Sequence, residues 1–406
     1  MAAKKKAEEF SIASFAQRAF EKAESIATKG GVYMAADHEA KQVGFRIPVF
    51  ALRYLINNGV WPLQRMSSCG GPPKGHKSSF AYQLQRWVLD AGGLVTHIET
   101  ENKATSDIQR SLVGPQYMDP ASPDKWRLTF VNTKTINEWQ QIISGSMGEL
   151  KAMCDAAKSK PSVPIMYNLD TLMGTDTEEA MARIHDTGEA QGRGFGDAAI
   201  IISKYLRATS SLLYGYPVFL HFTHQEKNSI GMIGGKTRAG GMAPDFYTSI
   251  DLQFSLGGSS AYSTSYKIDR ADVSGFNVKM KVRKSSIGPG DREIVVPFVW
   301  RYSSVEDPAT KTMRRQQDFQ WDWHAAGAEL LANMPARELG DVMRVGSEMT
   351  RAGKVYWSKE LGISESAPVS GTEFGTQLEA SPDLLAALEG QLVIKPGRLL
   401  EPGVLE

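Results

Sequence analysis

The chain has 406 residues, and its 46 Lys and Arg nearly balance its 45 Asp and Glu, which excludes a basic excess that would by itself mark a nucleic-acid-binding protein. Any nucleic-acid site must therefore be local, in a chain long enough for one large domain with attachments or for two domains. The two cysteines, Cys69 and Cys154, lack metal-ligand spacing, and no apolar run approaches the roughly 20 residues of a membrane-spanning helix. We expect a reduced, cytoplasmic protein without a membrane partner.

Residues 1–42 are predicted to form an N-terminal helix and a linker. Apolar residues are spread among charges over residues 1–30, and the pair Gly30 and Gly31 then breaks the helical pattern. The helix is either a frayed terminus or an arm that docks onto a neighbouring subunit. We assign it as the oligomerisation element of the chain.

Between residues 43 and 305, short apolar runs alternate with helix-like stretches. The runs are LVTHIE, WRLTFVNT, PIMYNLD, YPVFLHFTH and SIDLQFSL. Strands separated by helical stretches of about ten or more residues predict an α/β fold, with a mainly parallel central sheet flanked by helices. Over residues 306–406 the pattern becomes mixed and proline-containing, which predicts a small C-terminal α/β appendage with a loosely ordered tail.

The segment GGPPKGHKSSF, residues 70–80, matches the phosphate-binding pattern G-x-x-x-x-G-K-[ST] except that His76 replaces the second glycine. A potential strand precedes it and SSFAYQLQRWVL follows with helical spacing, so the context is strand, loop, helix. Lys77 would reach phosphates and Ser78 would offer a hydroxyl to Mg²⁺ at the helix start. A β-carbon at position 76 costs about 1 kcal/mol or more in a left-handed conformation, unless Gly75 absorbs it. The predicted nucleotide contacts are Gly71, Pro72, Pro73, Lys74, Gly75, His76, Lys77, Ser78 and Ser79.

Two further strands end in acidic residues. PIMYNLDTL ends its apolar run at Asp170, where a P-loop ATPase holds hydrated Mg²⁺. LVTHIETEN ends with Glu99 and Glu101, and either carboxylate could polarise an attacking water as general base. These strand ends predict the rest of a nucleotide-hydrolysing site.

Two glycine-rich segments without helical or strand periodicity are predicted to bind DNA. The segment 226–242, EKNSIGMIGGKTRAGGM, could order against a phosphate backbone while an apolar group inserts between bases. The segment 174–196 ends with Arg193, which could pair with a phosphate, and Phe195, which could stack on a base. We expect the 226–242 segment to lie at the far end of its strand from the phosphates. Its candidate contacts are Lys227, Met232, Lys236 and Arg238.

The order of these motifs resembles the RecA family of strand-exchange recombinases, and within it the UvsX-type recombinases of large tailed phages, whose P-loops also carry a bulky residue in place of the second glycine. The similarity covers residues 43 to 300. It implies an ATP-dependent DNA recombinase, active in recombination and repair, that forms a helical filament on single-stranded DNA and pairs it with double-stranded DNA. ATP and Mg²⁺ would bind at subunit interfaces, and single-strand-binding and mediator proteins would be further partners. A phage-encoded protein would act in the host cytoplasm.

The resemblance also implies roles for individual residues. Glu101 would be the general base, and Lys284 of the adjacent protomer would contact the γ-phosphate. Either His224 or Gln225, in the polar cluster FTHQE, would sense that phosphate. The family's adenine-stacking tyrosine is replaced by Ile108, so the resemblance does not predict base selectivity. Lys77 would contact the β- and γ-phosphates, with Ser78 and Asp170 on Mg²⁺.

Two other functions fit the same residues. A RecA-type hexameric helicase or motor would need an arginine finger, and Arg283 lies beside Lys284. A nucleotide-gated single-strand coat or annealing protein would result if His76 cripples hydrolysis without abolishing nucleotide binding. Closed rings in place of filaments would favour the first, and absence of ATP turnover with single-stranded DNA would favour the second.

Overall fold

The computed structural model describes residues 21–22, 43–101, 106–172, 194–228, 236–238, 243–256, 267–269, 273–288, 290–306, 311–334, 345–392 and 398–401. Glu21 and Lys22 are helical, and the rest of the predicted N-terminal arm lies outside the described residues, as do Arg193 and Met232. The elements described below belong to one compact unit that begins at Val43.

The helices and strands follow one another along the chain. The first part contains β1 (Val43–Arg46), α1 (Phe50–Ile56), β2 (Val60–Pro62), β3 (Met66–Gly71), α2 (Lys77–Asp90), β4 (Leu94–Glu99), α3 (Ser106–Val113), α4 (Pro115–Met118), a 3-10 turn (Pro123–Arg127), β5 (Leu128–Asn132), α5 (Ile136–Ala157) and β6 (Ile165–Asp170). The middle part contains α6 (Gly194–Leu213), β7 (Val218–Asn228), β8 (Lys236–Arg238), α7 (Ala243–Tyr247), β9 (Thr248–Leu256), β10 (Lys267–Asp269), β11 (Ser274–Ser285), β12 (Glu293–Glu306) and β13 (Met313–Trp321). The last part contains α8 (Trp323–Asn333), β14 (Val345–Thr350), β15 (Gly353–Ser358), β16 (Val369–Ser370), α9 (Gly371–Glu379), α10 (Pro382–Gln391) and β17 (Arg398–Leu399).

The predicted mixed α/β fold with a mostly parallel central sheet is confirmed. In the described part of the chain the main path of this sheet has nine strands in the order β13-β12-β11-β9-β3-β7-β6-β4-β5, while β8 and β10 pair with β7 and β11 off that path. Every pair from β9 to β5 is parallel, and β11, β12 and β13 add an antiparallel extension next to β9. Helices α2, α5 and α6 lie in the connections between parallel strands.

Helices cover both faces of the sheet, as alternation along β6 demonstrates. Ile165, Tyr167 and Leu169 pack in one buried cluster with residues of α5 and α6, whereas Met166 packs in another with residues of α1 and α2. Successive side chains of a strand point to opposite faces, so these clusters lie on the two sides of the sheet. Burial on both faces explains why the parallel strands read as continuous apolar runs.

The C-terminal region is joined to the central sheet beyond the boundary predicted at residue 306. Strand β13 pairs with β12 from Phe298 opposite Trp321 to Glu306 opposite Met313. Strand β17 pairs in parallel with β1, and β14, β15 and β16 form a separate three-stranded sheet. The central sheet therefore continues into the region that the sequence assigned to an appendage. Among the described helices, none combines the length and apolar character needed to cross a membrane.

Candidate active site

A cavity of about 470 Å³ opens at the carboxyl edge of the parallel strands. Strands β3, β4, β6 and β7 are parallel neighbours or are linked through parallel neighbours, so their carboxyl ends meet at one edge. Residues 73–79 line the cavity together with Glu99, Glu101, Asp170 and Gln225. Loop residues 73–79, the general-base candidates and the predicted metal ligands are thus brought together, while the carbonyl oxygens of Gly71 and Pro72 accept hydrogen bonds from Lys77.

The glycine-rich loop, residues 71–79, follows β3 and leads into α2. At Gly71 the φ angle is +149°, and an added β-carbon would lie 2.3 Å from the backbone oxygen of Phe254, so only glycine fits against β9. His76 is the N-cap of α2 and itself adopts the left-handed conformation, with φ 60° and ψ 26°. Gly75 therefore does not spare His76 the left-handed conformation, an outcome that the sequence left open, and Lys74 also has a positive φ of 62°.

The side chain of Lys77 is folded onto the loop that precedes it. Its Nζ donates to the carbonyl oxygens of Gly71 at 3.1 Å and Pro72 at 2.7 Å. The residue is buried, and burial lowers the pKa of its ammonium group while the nearby Asp170 carboxylate opposes that shift. An anion in the cavity would offer this cation stronger, charge-assisted hydrogen bonds than two neutral carbonyls do.

Asp170 ends β6 as a buried carboxylate held by hydroxyl groups. Burial raises the pKa of Asp170, while the nearby His97 and hydrogen bonds from Ser78 and Thr223 oppose the rise. The Ser78 hydroxyl and the Asp170 carboxylate are oxygen donors, the set that Mg²⁺ prefers when it also binds substrate phosphates. In the described part of the chain, the ligand atoms of His97, Glu99 and Asp170 lie within 4.8 Å of one another. The donor chemistry at this strand end fits the predicted magnesium site.

The two candidate general bases differ in their surroundings. Glu99 is buried, and its carboxylate oxygens contact His97 Nε2 at 3.3 Å and accept the backbone N–H of Glu101 at 3.2 Å. Glu101 is half-buried, and the Gln225 amide donates to its Oε1 at 3.3 Å. Glu101 is therefore held at the cavity by the Gln225 amide of β7. Glu99 is held by His97 of its own strand and by the backbone N–H of Glu101.

His97 is a further functional candidate, which lies two residues before Glu99 on β4. It is fully buried, and its Nδ1 accepts hydrogen bonds from the side-chain amides of Gln85 at 2.8 Å and Asn168 at 3.0 Å. With Nδ1 as acceptor, the ring proton belongs on Nε2 and is donated to Glu99. Since residues two apart on a strand share a face, the spacing of His97 and Glu99 in LVTHIE was the available signal.

Of the two candidate phosphate sensors, Gln225 lies at the cavity. Gln225 and Thr223 line it from β7, as residues two apart on one face of a strand. His224 points to the opposite face, where it is fully buried with its Nε2 3.6 Å from Asp251 Oδ1. Because side chains alternate along β7, Gln225 is the candidate that faces the cavity and His224 is the one that does not.

Arg283 and Lys284 point to different partners. Arg283 donates through Nε and Nη2 to Asp251 Oδ2 at 2.8 and 2.5 Å, and through Nη1 to Glu226 Oε1 at 2.7 Å. Lys284 donates to the backbone oxygens of Asp245 and Phe246. Lys284 therefore lies away from the cavity of its own chain. Arg283 forms its ion pairs on the face of the sheet to which His224 points.

The predicted DNA-binding segments are more regular than expected. Residues 226–228 belong to β7 and pair with β8, from Glu226 opposite Arg238 to Asn228 opposite Lys236, so the segment 226–242 begins as a β-hairpin. Gly71 is paired with Gln225, so the hairpin leaves the same edge as the glycine-rich loop, and the expected position at the far end of the strand is wrong. Parallel strands place their carboxyl ends together. Phe195, expected in a loop, lies in the first turn of α6.

Comparison with known proteins does not assign a family: no protein-family model matches the chain, and no curated protein sequence matches it. The chemistry of the cavity therefore has to be inferred from the residues that line it.

Proposed function

We propose that the protein is an ATP-dependent DNA recombinase of the RecA type, which forms a filament on single-stranded DNA and promotes homologous pairing and strand exchange. The observation that carries the proposal is the meeting of the glycine-rich loop, Asp170, Glu101 and Gln225 around one cavity. Each group comes from a different parallel strand, in the chain order that the resemblance implies.

Each of the residues around the cavity would have a separate role in phosphoryl transfer. Lys77 would exchange its two carbonyl partners for phosphate oxygens, and backbone N–H groups at the start of α2 would add their partial positive charge. Ser78 and Asp170 would hold Mg²⁺, which when bound screens the phosphate charges. The Glu101 carboxylate would accept the proton of the attacking water.

The contact between Gln225 and Glu101 suggests how DNA would stimulate this chemistry. Gln225 donates to Glu101 in the cavity, and the next residue, Glu226, is the first of the hairpin pair with β8. DNA bound by the hairpin would therefore act within one residue of the contact that orients the general base. Chains of contacting residues such as this one can carry coupling between two sites.

The environment of Arg283 favours a filament-forming recombinase over a ring-forming motor. An arginine finger must reach the nucleotide of a neighbouring subunit, but Arg283 makes close ion pairs with Asp251 and Glu226 of its own chain. Lys284 is the better candidate for a contact with the neighbouring nucleotide, since its partners are two neutral backbone carbonyls.

Joint-molecule formation tests the proposal directly. The full chain, with Mg²⁺ and ATP, is expected to pair a circular single strand with a homologous linear duplex, and Lys77→Ala is expected to form no joint molecules. A heterologous duplex is the matched control. ATP hydrolysis without joint molecules would favour the motor alternative, and coating of single strands without hydrolysis would favour the annealing protein.

A further inference from the structure

The His76 ring does not cap the helix that it precedes but packs into an aromatic cluster. As the N-cap of α2 it makes no side-chain hydrogen bond to the helix, although N-caps are usually polar residues that do. Its ring centroid lies 4.4 Å from that of Phe298, 5.6 Å from Phe276 and 6.3 Å from Trp321. These three residues belong to β12, β11 and β13, the antiparallel extension of the sheet.

A second contact joins the same extension to the first turn of α2. The indole N–H of Trp321 donates to the backbone oxygen of Ser79 at 3.2 Å, and this hydrogen bond is buried. Ser79 lies two residues after Lys77, and His76 lies one residue before it. The backbone that presents Lys77 is therefore held on both sides by β11–β13.

These contacts from β11–β13 surround a backbone conformation that residues with a β-carbon rarely adopt. His76 and Lys74 both have positive φ angles, and such conformations persist only where the surroundings hold them in place. The His76 ring packs as an aromatic group against rings of three later strands.

We infer that His76 and Trp321 are positioning residues for nucleotide binding, and that the antiparallel strands β11–β13 are an integral part of the nucleotide site. The aromatic clamp, defined as His76, Phe276, Phe298 and Trp321, holds the glycine-rich loop in one conformation before nucleotide arrives. This inference rests on the proposed nucleotide site. It opposes the simpler expectation that a glycine at position 76, which completes the phosphate-binding pattern, would improve the site.

Titration of the full chain with the fluorescent nucleotide mant-ADP and Mg²⁺ tests the inference. His76→Gly is expected to raise the Kd by about tenfold or more, because the freed loop populates conformations that do not bind. His76→Phe keeps an aromatic ring and is expected to restore most of the lost affinity. In ATP hydrolysis, His76→Gly should raise KM by a larger factor than it lowers kcat, a split that general loss of folding would not produce.

The control is Phe319→Leu, because Phe319 stacks on Phe298 and packs against Trp300 in the same aromatic region. It should lower stability in urea without raising the Kd for mant-ADP. If His76→Gly does not fold, Trp321→Phe decides, since it keeps a ring but loses the hydrogen bond to Ser79 and should raise the Kd by about threefold or more.

Equal or tighter mant-ADP binding by His76→Gly, or by Trp321→Phe where the glycine variant does not fold, would overturn the inference while leaving the proposed function intact. Absence of mant-ADP and ATP binding by the parent chain would overturn the nucleotide site itself, and the clamp with it.

Discussion

Replacing Arg283 with glutamine is expected to destabilise the protein by about 3 kcal/mol, because it leaves a buried carboxylate without its cation. Asp251 is fully buried, and Arg283 contacts one of its oxygens through two nitrogens, at 2.8 and 2.5 Å. Breaking such a pair from one side typically costs about 3–5 kcal/mol. The Arg283 side chain is 22% exposed, which places the expected cost at the lower end of that range.

The pair can be tested by a double-mutant cycle in urea unfolding. Asp251→Asn together with Arg283→Gln removes both charges and should recover most of the loss, with a coupling free energy of about 2 kcal/mol or more. Full recovery is not expected, since Glu226 loses its contact with Arg283 and keeps that with the Gln253 amide. Arg292→Gln is the matched control, because Arg292 donates to oxygens of Tyr54 and Asn57 and should couple to Asp251→Asn by less than about 0.5 kcal/mol.

The result that would refute this reasoning is specific. If Arg283→Gln is as stable as the parent chain but loses DNA-stimulated ATP hydrolysis, Arg283 acts on the nucleotide of a neighbouring subunit. The ring-forming motor would then become the better description of the protein.

Three further predictions concern the base, the hairpin and acid stability. Glu101→Gln should slow ATP turnover by about 10²-fold or more while ATP binding is kept, and turnover at the parent rate would make Glu99 the base. Lys236→Ala with Arg238→Ala should flatten the plot of log affinity for single-stranded DNA against log salt by about 1.4, at about 0.7 per lost phosphate contact; an unchanged slope would move the DNA site to Arg193 and Phe195. Burial lowers the pKa of His221 from 6.5 to about 3, and His224 contributes to that shift. Between pH 6.5 and pH 3 the unfolded chain therefore binds a proton at this residue that the folded chain does not bind. The free energy of unfolding should therefore fall as the pH drops below 6.5, by about 2 kcal/mol for this group at pH 5 relative to pH 7. In urea unfolding, the free energy of the His221→Phe variant should fall by that much less between pH 7 and pH 5. An equal fall in the variant and the parent chain would contradict the lowered pKa of His221.

The strands and their acidic ends could be predicted from the sequence because each depends on a local pattern. Apolar runs such as PIMYNLD are long enough to mark buried parallel strands, and Asp170 stands where the run ends. Burial of these strands on both faces also prevented the sequence from distinguishing which of His224 and Gln225 faces the cavity. A strand buried on both faces has no apolar alternation along YPVFLHFTH, so the sequence does not say which residue faces the cavity.

Other features depend on contacts between residues far apart in the chain. The sequence predicted the cost of a β-carbon at position 76 but not the aromatic cluster that receives the His76 ring, because Phe298 and Trp321 come from strands that follow much later. Strand β8 was not predicted because the segment GGKTRAGG has no periodicity and because the strand forms only by pairing with β7, a tertiary contact. Strand β13 was assigned to an appendage since its sequence MRRQQDFQW is polar, as an outer strand of a sheet can be.

Steady-state phosphate release from ATP, measured on the full chain with Mg²⁺ in the presence and absence of single-stranded DNA, tests the central claim most directly. The proposed recombinase should hydrolyse ATP several-fold faster with DNA, and Lys77→Ala should abolish hydrolysis under both conditions. Hydrolysis that is the same with and without DNA, or that survives in Lys77→Ala, would contradict the claim that this cavity is a DNA-coupled ATPase site.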